Sequence, residues 1–199
     1  MARKRSLDGG QDIAEQILDR AALLFYERGY DATSIRDLAE AIGISSSTLY
    51  HHYSNKQEIL YAVVHRFMEV FNAEIIPTLR DPGRSPTARL LAAVRLHLEI
   101  SDARRAELLR VNHIRASLNE PQVRELTRLQ WAYQDAVKNA IKEGCAAGEL
   151  ATDDVDLCTM AVLDMLNGVR TWFSHSGSLS LNDVVARYTA MVRKMLATP

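Results

Sequence analysis

One glycine between two short amphipathic stretches constrains this chain most. In "SIRDLAEAIGISSSTLYHHYSNKQEIL", Ile35, Leu38, Ala39 and Ile42 fall at i, i+3, i+4 and i+7, the period of a short helix. Thr33 or Ser34 can cap its start, and Asp37 completes a capping box from Ser34. Gly43 stops it, and a further short helix runs from about Ser45 or Ser46 to His52. Ile44 then points back to a small core with Ile35, Leu38 and Leu49. Two short helices parted by Gly43-Ile44-Ser45 match a helix-turn-helix, whose second helix lies in the DNA major groove. Ser45, Ser46, Ser47 and Thr48 are short enough to let the backbone approach DNA, with hydroxyls for phosphates or base edges. Tyr50 and His51 project from the exposed face, Tyr53 follows the helix, and Lys56 sits on the next helix's first turn, placed for a phosphate. A purely structural reading stays open. The serines can serve only as a cap, Tyr50 can be half-core with a wet hydroxyl, and His52 can be a packing residue.

The remainder also reads as helical, because strand-like alternation bounded by turn residues is absent. Residues 1–10 form a basic arm led by Arg3, Lys4 and Arg5, which the Gly9-Gly10 break marks as flexible. A first helix carries Ile13, Ile17, Ala21, Leu24 and Phe25 and ends at Gly29. Asn55, with Glu58 three residues on, starts a long helix reaching Pro77. "RDPGRSP" is the clearest loop, with Ser85 a cap and Pro86 at the first helical position. Helical patterns follow over about 86–100, 104–118, 121–147, 154–173 and 181–196. The expectation is an all-α chain of about nine helices. A three-helix helix-turn-helix domain (11–55) precedes a helical bundle (56–199).

A formal net charge of −1 gives no global basic field, so any nucleic-acid partner must be met by local placement. Within residues 1–60, Arg3, Lys4, Arg5, Arg20, Arg28, Arg36 and Lys56 are outnumbered by Asp8, Asp12, Glu15, Asp19, Glu27, Asp31, Asp37, Glu40 and Glu58. Modest non-specific binding and a moderate salt dependence are therefore expected, with shape readout carrying more than usual. The two cysteines, Cys145 and Cys158, form no C-x-x-C and have no histidine at metal-ligand spacing. No apolar run reaches a membrane span and the start lacks a signal peptide's apolar stretch, so a cytoplasmic location is expected. H-E-x-x-H, a Glu-x-x-His pair, a Gly-rich phosphate loop and G-x-S-x-G are absent, leaving little support for an all-helical enzyme. No cofactor or metal is expected.

Residues 12–60 resemble the DNA-binding region of the tetracycline-repressor (TetR) family. The elements that carry this are Phe25-x-x-x-Gly29-Tyr30, Thr33-Ser34, the Gly43-Ile44-Ser45 turn, Tyr50-x-His52-Tyr53, and Asn55-Lys56-Gln57, in order and at the expected spacing. The resemblance implies a one-component transcription regulator with a ligand-binding and dimerising C-terminal domain. It assigns Thr33 and Ser34 a phosphate role at the second helix's start. Ser45 to Thr48 and His51 would meet the groove. Tyr50, Tyr53 and Lys56 would hold backbone phosphates, with Arg36 contributing.

A ligand cavity in the bundle would draw polar groups from Asn112, His113, Gln134, Asn167 and Arg170. Its aromatic walls would come from Phe67, Phe71, Trp131, Tyr133, Trp172 and Phe173. Packing or an interface is the alternative for each alone. "LNGVRTWFSHSGSLSLNDVVARY" is similar to the end of a TetR subgroup that senses acyl-CoA and steroid-derived CoA thioesters. By that resemblance Arg170 would pair with an anionic ligand group and Trp172 would line or gate the cavity, an intersubunit salt bridge being the alternative for Arg170. The apolar stripes of the last two helices fit a two-fold homodimer, which would bind a pseudo-palindromic double-stranded operator. The expected effector is a small apolar or CoA-linked molecule, such as an acyl-CoA, fatty acid or steroid derivative, that releases a repressor. A DNA-binding regulator without a small ligand is the alternative.

Overall fold

The computed structural model describes residues 6–107 and 115–197, the side chains of residues 6–12 and 115 excepted. Among these residues all regular structure is helical: α1 (Ser6–Arg28), α2 (Ile35–Ile42), α3 (Ser46–His52), α4 (Lys56–Leu79), α5 (Pro86–Ala103), α6 (Glu120–Ala146), α7 (Val155–Trp172) and α8 (Leu181–Met195). A 3-10 turn covers Arg115–Ser117. The all-α expectation holds. The helix expected over 104–118 is not observed where described: Arg104 caps α5, residues 104–107 form turns, and 115–117 are 3-10. Part of the expected arm is helical. α1 begins at Ser6, so residues 6–10 are helical, and residues 1–5 lie outside the described residues. Glycine lowers helix propensity by about 1 kcal/mol without forbidding the helix, so Gly9-Gly10 was too weak a signal for a break.

The chain forms two compact units. One contains the residues up to Phe67 and the segment ending at Leu126; the other contains Met68–Arg105 and the residues from Thr127 onwards. The division between these units falls inside α4. The reason lies in what the first half of α4 touches. Lys56 bonds the turn before α2, and Arg66 Nη2 lies 2.7 Å from Asp19 of α1 and 3.5 Å from Glu107. His65 Nε2 stands 3.6 Å from Glu125.

In the first unit α2 packs on α1 and α3 packs on α2. Ile17, Ala21, Phe25, Leu38, Leu49, Ile59, Leu60 and Val63 are buried at the centre. Each buried leucine or isoleucine contributes about 1.5–3 kcal/mol of transfer free energy. In the second unit α5 packs on α7 and α8. Its core includes Ile75, Leu79, Leu90, Val94, Leu98, Ile141, Val162, Leu166, Val185 and Val192. Loop ends are tied by backbone bonds, such as Ala151 N to Leu196 O at 3.0 Å.

Candidate nucleic-acid interface and effector site

The turn between α2 and α3 follows from Gly43. Its φ of 78° is left-handed, and its N–H donates to the carbonyls of Ala39 and Glu40. Ile44 N also donates to Ala39 O, at 3.0 Å. A side chain at this φ would cost about 1–2 kcal/mol, which is why glycine ends α2. At the other end of α2, Ser34 and Asp37 form the expected capping box. Ser34 Oγ accepts from Asp37 N at 3.1 Å and donates to Asp37 Oδ2 at 2.6 Å, while Ser34 N donates to the same oxygen at 2.7 Å. The bonds from the Ser34 hydroxyl, then from its backbone, hold the Asp37 carboxyl below the usual carboxylate range.

α3 begins on a hydroxyl hub. Ser45 Oγ accepts from Thr48 N at 3.0 Å and exchanges bonds with Ser47 Oγ at 2.7 Å and Thr48 Oγ1 at 2.8 Å. Leu49 is fully buried, so the opposite face of this two-turn helix must point outward. That face carries Ser47, Tyr50 and His51, at i, i+3 and i+4, all exposed, with Tyr50 at 53%. Ser46, Thr48 and His52 are half-buried at its edges. Arg36 of α2 is exposed. Tyr53 is half-buried at the C-cap, and burial raises its hydroxyl pKa.

Two sequence-predicted phosphate contacts are otherwise engaged. Thr33 is only 1% exposed, and its hydroxyl donates to Gly29 O at 2.8 Å. It closes the turn after α1 and offers no hydroxyl outward. Lys56 Nζ donates to Tyr30 O and Thr33 O, both at 2.8 Å, and lies 4.2 Å from the centroid of the Tyr30 ring. The sequence placed Lys56 at the start of α4 but gave no sign of its contact with the Tyr30 ring.

The predicted effector residues divide. Phe67 and Phe71 are buried on α4, Gln134 is half-buried, and Arg170 is half-buried near the end of α7. Asn112 and His113 lie outside the described residues. Trp131 is 63% exposed, Trp172 is 49% exposed and Asn167 is exposed, so these three do not line an interior cavity of the single chain. Trp131 points out because Tyr133, two residues on and across the helix, points in. Trp172 instead stacks on Tyr188 of α8, with ring centroids 6.3 Å apart.

In the second unit Tyr133 and Phe71, both expected as aromatic walls, meet a residue that was not foreseen, His97. His97 of α5 is buried, and its Nδ1 lies 3.0 Å from the Tyr133 hydroxyl of α6. Phe71 meets both rings edge-on at 5.1 Å. Burial, and secondarily the positive charge of Arg170, push the His97 pKa down to about 3, so the imidazole is neutral. Burial likewise pushes the Tyr133 hydroxyl up. Arg170 makes no hydrogen bond or ion pair with any described residue, and its partial burial lowers its pKa. The available signal was His97 itself, a lone imidazole on the stripe Leu90, Ala93, Val94, His97 and Leu98. Phe71, His97 and Tyr133 thus form one buried cluster of rings, and the charge of Arg170 acts on His97.

Residues 17–63 match the bacterial regulatory proteins of the tetR family, and residues 83–196 match the tetracyclin repressor-like C-terminal domain. The chain belongs to the TetR family. As a TetR-family member it is a DNA-binding transcriptional regulator, in a family whose members are not enzymes. The HTH-type transcriptional repressor KstR2 of Rhodococcus jostii is 29% identical over 189 residues, covering 92% of this chain and 91% of that protein. The crystal structure of the TetR-family regulator PfmR from Thermus thermophilus superposes with a TM-score of 0.83 at 29% identity, covering 89% of this chain and 97% of that one. AibR, solved in complex with isovaleryl coenzyme A and operator DNA, shares the fold at a TM-score of 0.80 and 24% identity, covering 94% of this chain and 98% of that one. Among the described residues, no helix is long and apolar enough to cross a membrane.

Proposed function

We propose that this regulator is a repressor whose effector is an apolar molecule bearing an anionic group, bound in the second unit. The observation that carries this reading is Arg170, a half-buried guanidinium with no ion pair among the described residues, beside a buried aromatic and imidazole cluster. A half-buried cation without a carboxylate is costly unless something supplies the anion. A CoA-linked acyl or steroid-derived acid has both the apolar body and the charge, and a relative of this fold was solved with isovaleryl coenzyme A. α4 carries Phe71 in one unit and Lys56 in the other, so an effector that shifts Phe71 acts on the same helix that starts at the helix-turn-helix. The effect on DNA is set by the ligand's differential affinity for the two states.

The groove-reading face is Ser47, Tyr50 and His51, with Ser46, Thr48 and Arg36 beside it. The two-fold interface is α7 with α8, whose exposed side chains include Leu157, Met160, Trp172, Met191 and Met195. The test is retardation of a fragment from the protein's own promoter region, with acyl-CoAs, fatty acids and steroid-derived acids titrated in. One class should release the DNA from wild type, and R170Q should bind DNA but need far more ligand. Absence of retardation at low salt by folded dimer sinks the regulator geometry. An R170Q protein that responds like wild type sinks the effector site.

A further inference from the structure

We propose that His51 is the proton-dependent cation of the recognition helix, so that operator binding takes up a proton. The inference rests on the groove-reading face of Ser47, Tyr50 and His51 proposed above. α3 contains no lysine or arginine, and its basic side chains are His51 and His52 in the last turn. Between Ile35 and Tyr53 the one permanent cation is Arg36, set against Asp37 and Glu40. The exposed face of α3 therefore brings hydroxyls and an imidazole to DNA, and only the imidazole can become positive. A histidine side chain ordinarily changes charge between about pH 5 and 8, so the positive charge of this helix is conditional. The ring of His51 lies 6.2 Å from that of His52, edge-on. Two cations at that spacing repel, so one proton is taken up, and the exposed His51 carries it rather than the half-buried His52.

The charged groups around α3 are mostly engaged elsewhere. On α2, which packs against α3, they are Arg36, Asp37 and Glu40, and Asp37 is held by Ser34 N and Oγ at 2.7 and 2.6 Å. At the head of α4, Glu58 accepts from Ser54 N at 2.8 Å and Lys56 donates to Tyr30 O and Thr33 O. Arg66, whose charge reaches Tyr53, is paired with Asp19 of α1. Among the described residues the histidine ion pairs are His65 with Glu125 and His175 with Asp102, so no carboxylate pairs with His51 or His52. An imidazolium here is left for DNA to neutralise. In the operator complex the phosphates supply the negative charge that favours the protonated form. Once protonated, both ring nitrogens donate, so the partner on DNA is an acceptor: a phosphate oxygen, or the guanine edge, whose O6 and N7 both accept.

The probe is a duplex selected by the wild-type protein from a random pool. Its binding is measured from about pH 8 down to about pH 6, at several salt concentrations, where circular dichroism shows each protein folded. A complex that takes up one proton gains up to about tenfold in affinity per pH unit. Wild type should bind roughly fivefold or more tightly at the acid end, with a slope of log Kobs against log salt steeper there by about one. H51Q keeps a polar side chain that cannot be charged. It should bind with an affinity and a salt slope that no longer depend on pH. Single-base variants of the duplex locate the acceptor. A guanine partner makes H51Q differ from wild type in its preference at one base pair, whereas a phosphate partner leaves its base preferences unchanged. Wild-type affinity that stays level across the pH range overturns the proposal, as does an H51Q protein that retains the wild-type pH dependence. Failure of wild type to select any duplex sinks the groove-reading face and this inference with it. A selected duplex bound equally at both ends of the pH range sinks the inference alone.

Discussion

The two units hold their polar groups in opposite ways. In the helix-turn-helix most polar bonds are local: Ser34 with Asp37, Ser45 with Thr48, and Asn55 with Glu58 are all three residues apart. In the bundle the decisive polar contact joins His97 to Tyr133, 36 residues away, inside the core. Local bonds set where short helices start and stop and leave their outer faces free. A long-range buried pair instead fixes how long helices register on one another, and it loses its full value if either partner goes.

Four measurements bear on that contrast, from the largest effect to the smallest. Leu49→Ala should destabilise by about 2–5 kcal/mol in denaturant unfolding and abolish operator binding, because α3 rests on this one fully buried side chain. A small cost would mean that the caps, not packing, seat the recognition helix. Second, the bundle should be acid-sensitive through His97. Its folded pKa of about 3 lies below the ordinary 6.5, so between these values the unfolded chain binds the extra proton. Its contribution to stability is thus intact above about pH 6.5 and falls by about 1.4 kcal/mol per unit as pH drops towards 3. Denaturant melts of wild type against H97Q over pH 7 to 4 should diverge by that slope, and parallel curves would refute a neutral buried imidazole. Third, Tyr133→Phe leaves the His97 nitrogen unpartnered and should cost about 1–3 kcal/mol in the same melts, with operator affinity unchanged. Fourth, Ser45→Ala should cost about 0.5–2 kcal/mol, the value of one N-cap, read as a lower unfolding midpoint. A cost larger than that of Tyr133→Phe would reverse the contrast between local and long-range polar contacts.

The same division decides what could be read from the sequence. The capping box at Ser34, the left-handed Gly43 and the cap at Ser45 are all written within four residues of where they act, so their types and spacing announce them. Lys56 was legible as a residue at the head of α4, but its partners lie 23 and 26 residues back, and no local pattern points to them. The phosphate role assigned to Thr33 failed for the opposite reason: a threonine before a helix is most often outward, and here the turn folds it in. The exposure of Trp131 and Trp172 was not legible, because a large aromatic on an apolar helix is ordinarily interior, whereas these two sit on outward faces. His97 was visible but unremarked, since an imidazole on an apolar stripe gains meaning only when the hydroxyl across from it is known.

The hub at the head of α3 has a consequence for base selectivity in the proposed operator complex. Ser45, Ser47 and Thr48 share hydrogens that either partner can supply. Rotating those protons lets the first turn present a lone pair or a hydrogen to DNA while no heavy atom moves. Such a surface is indifferent to which base edge it meets, so discrimination between sequences passes to the stiffer rings one turn further along, Tyr50 and His51.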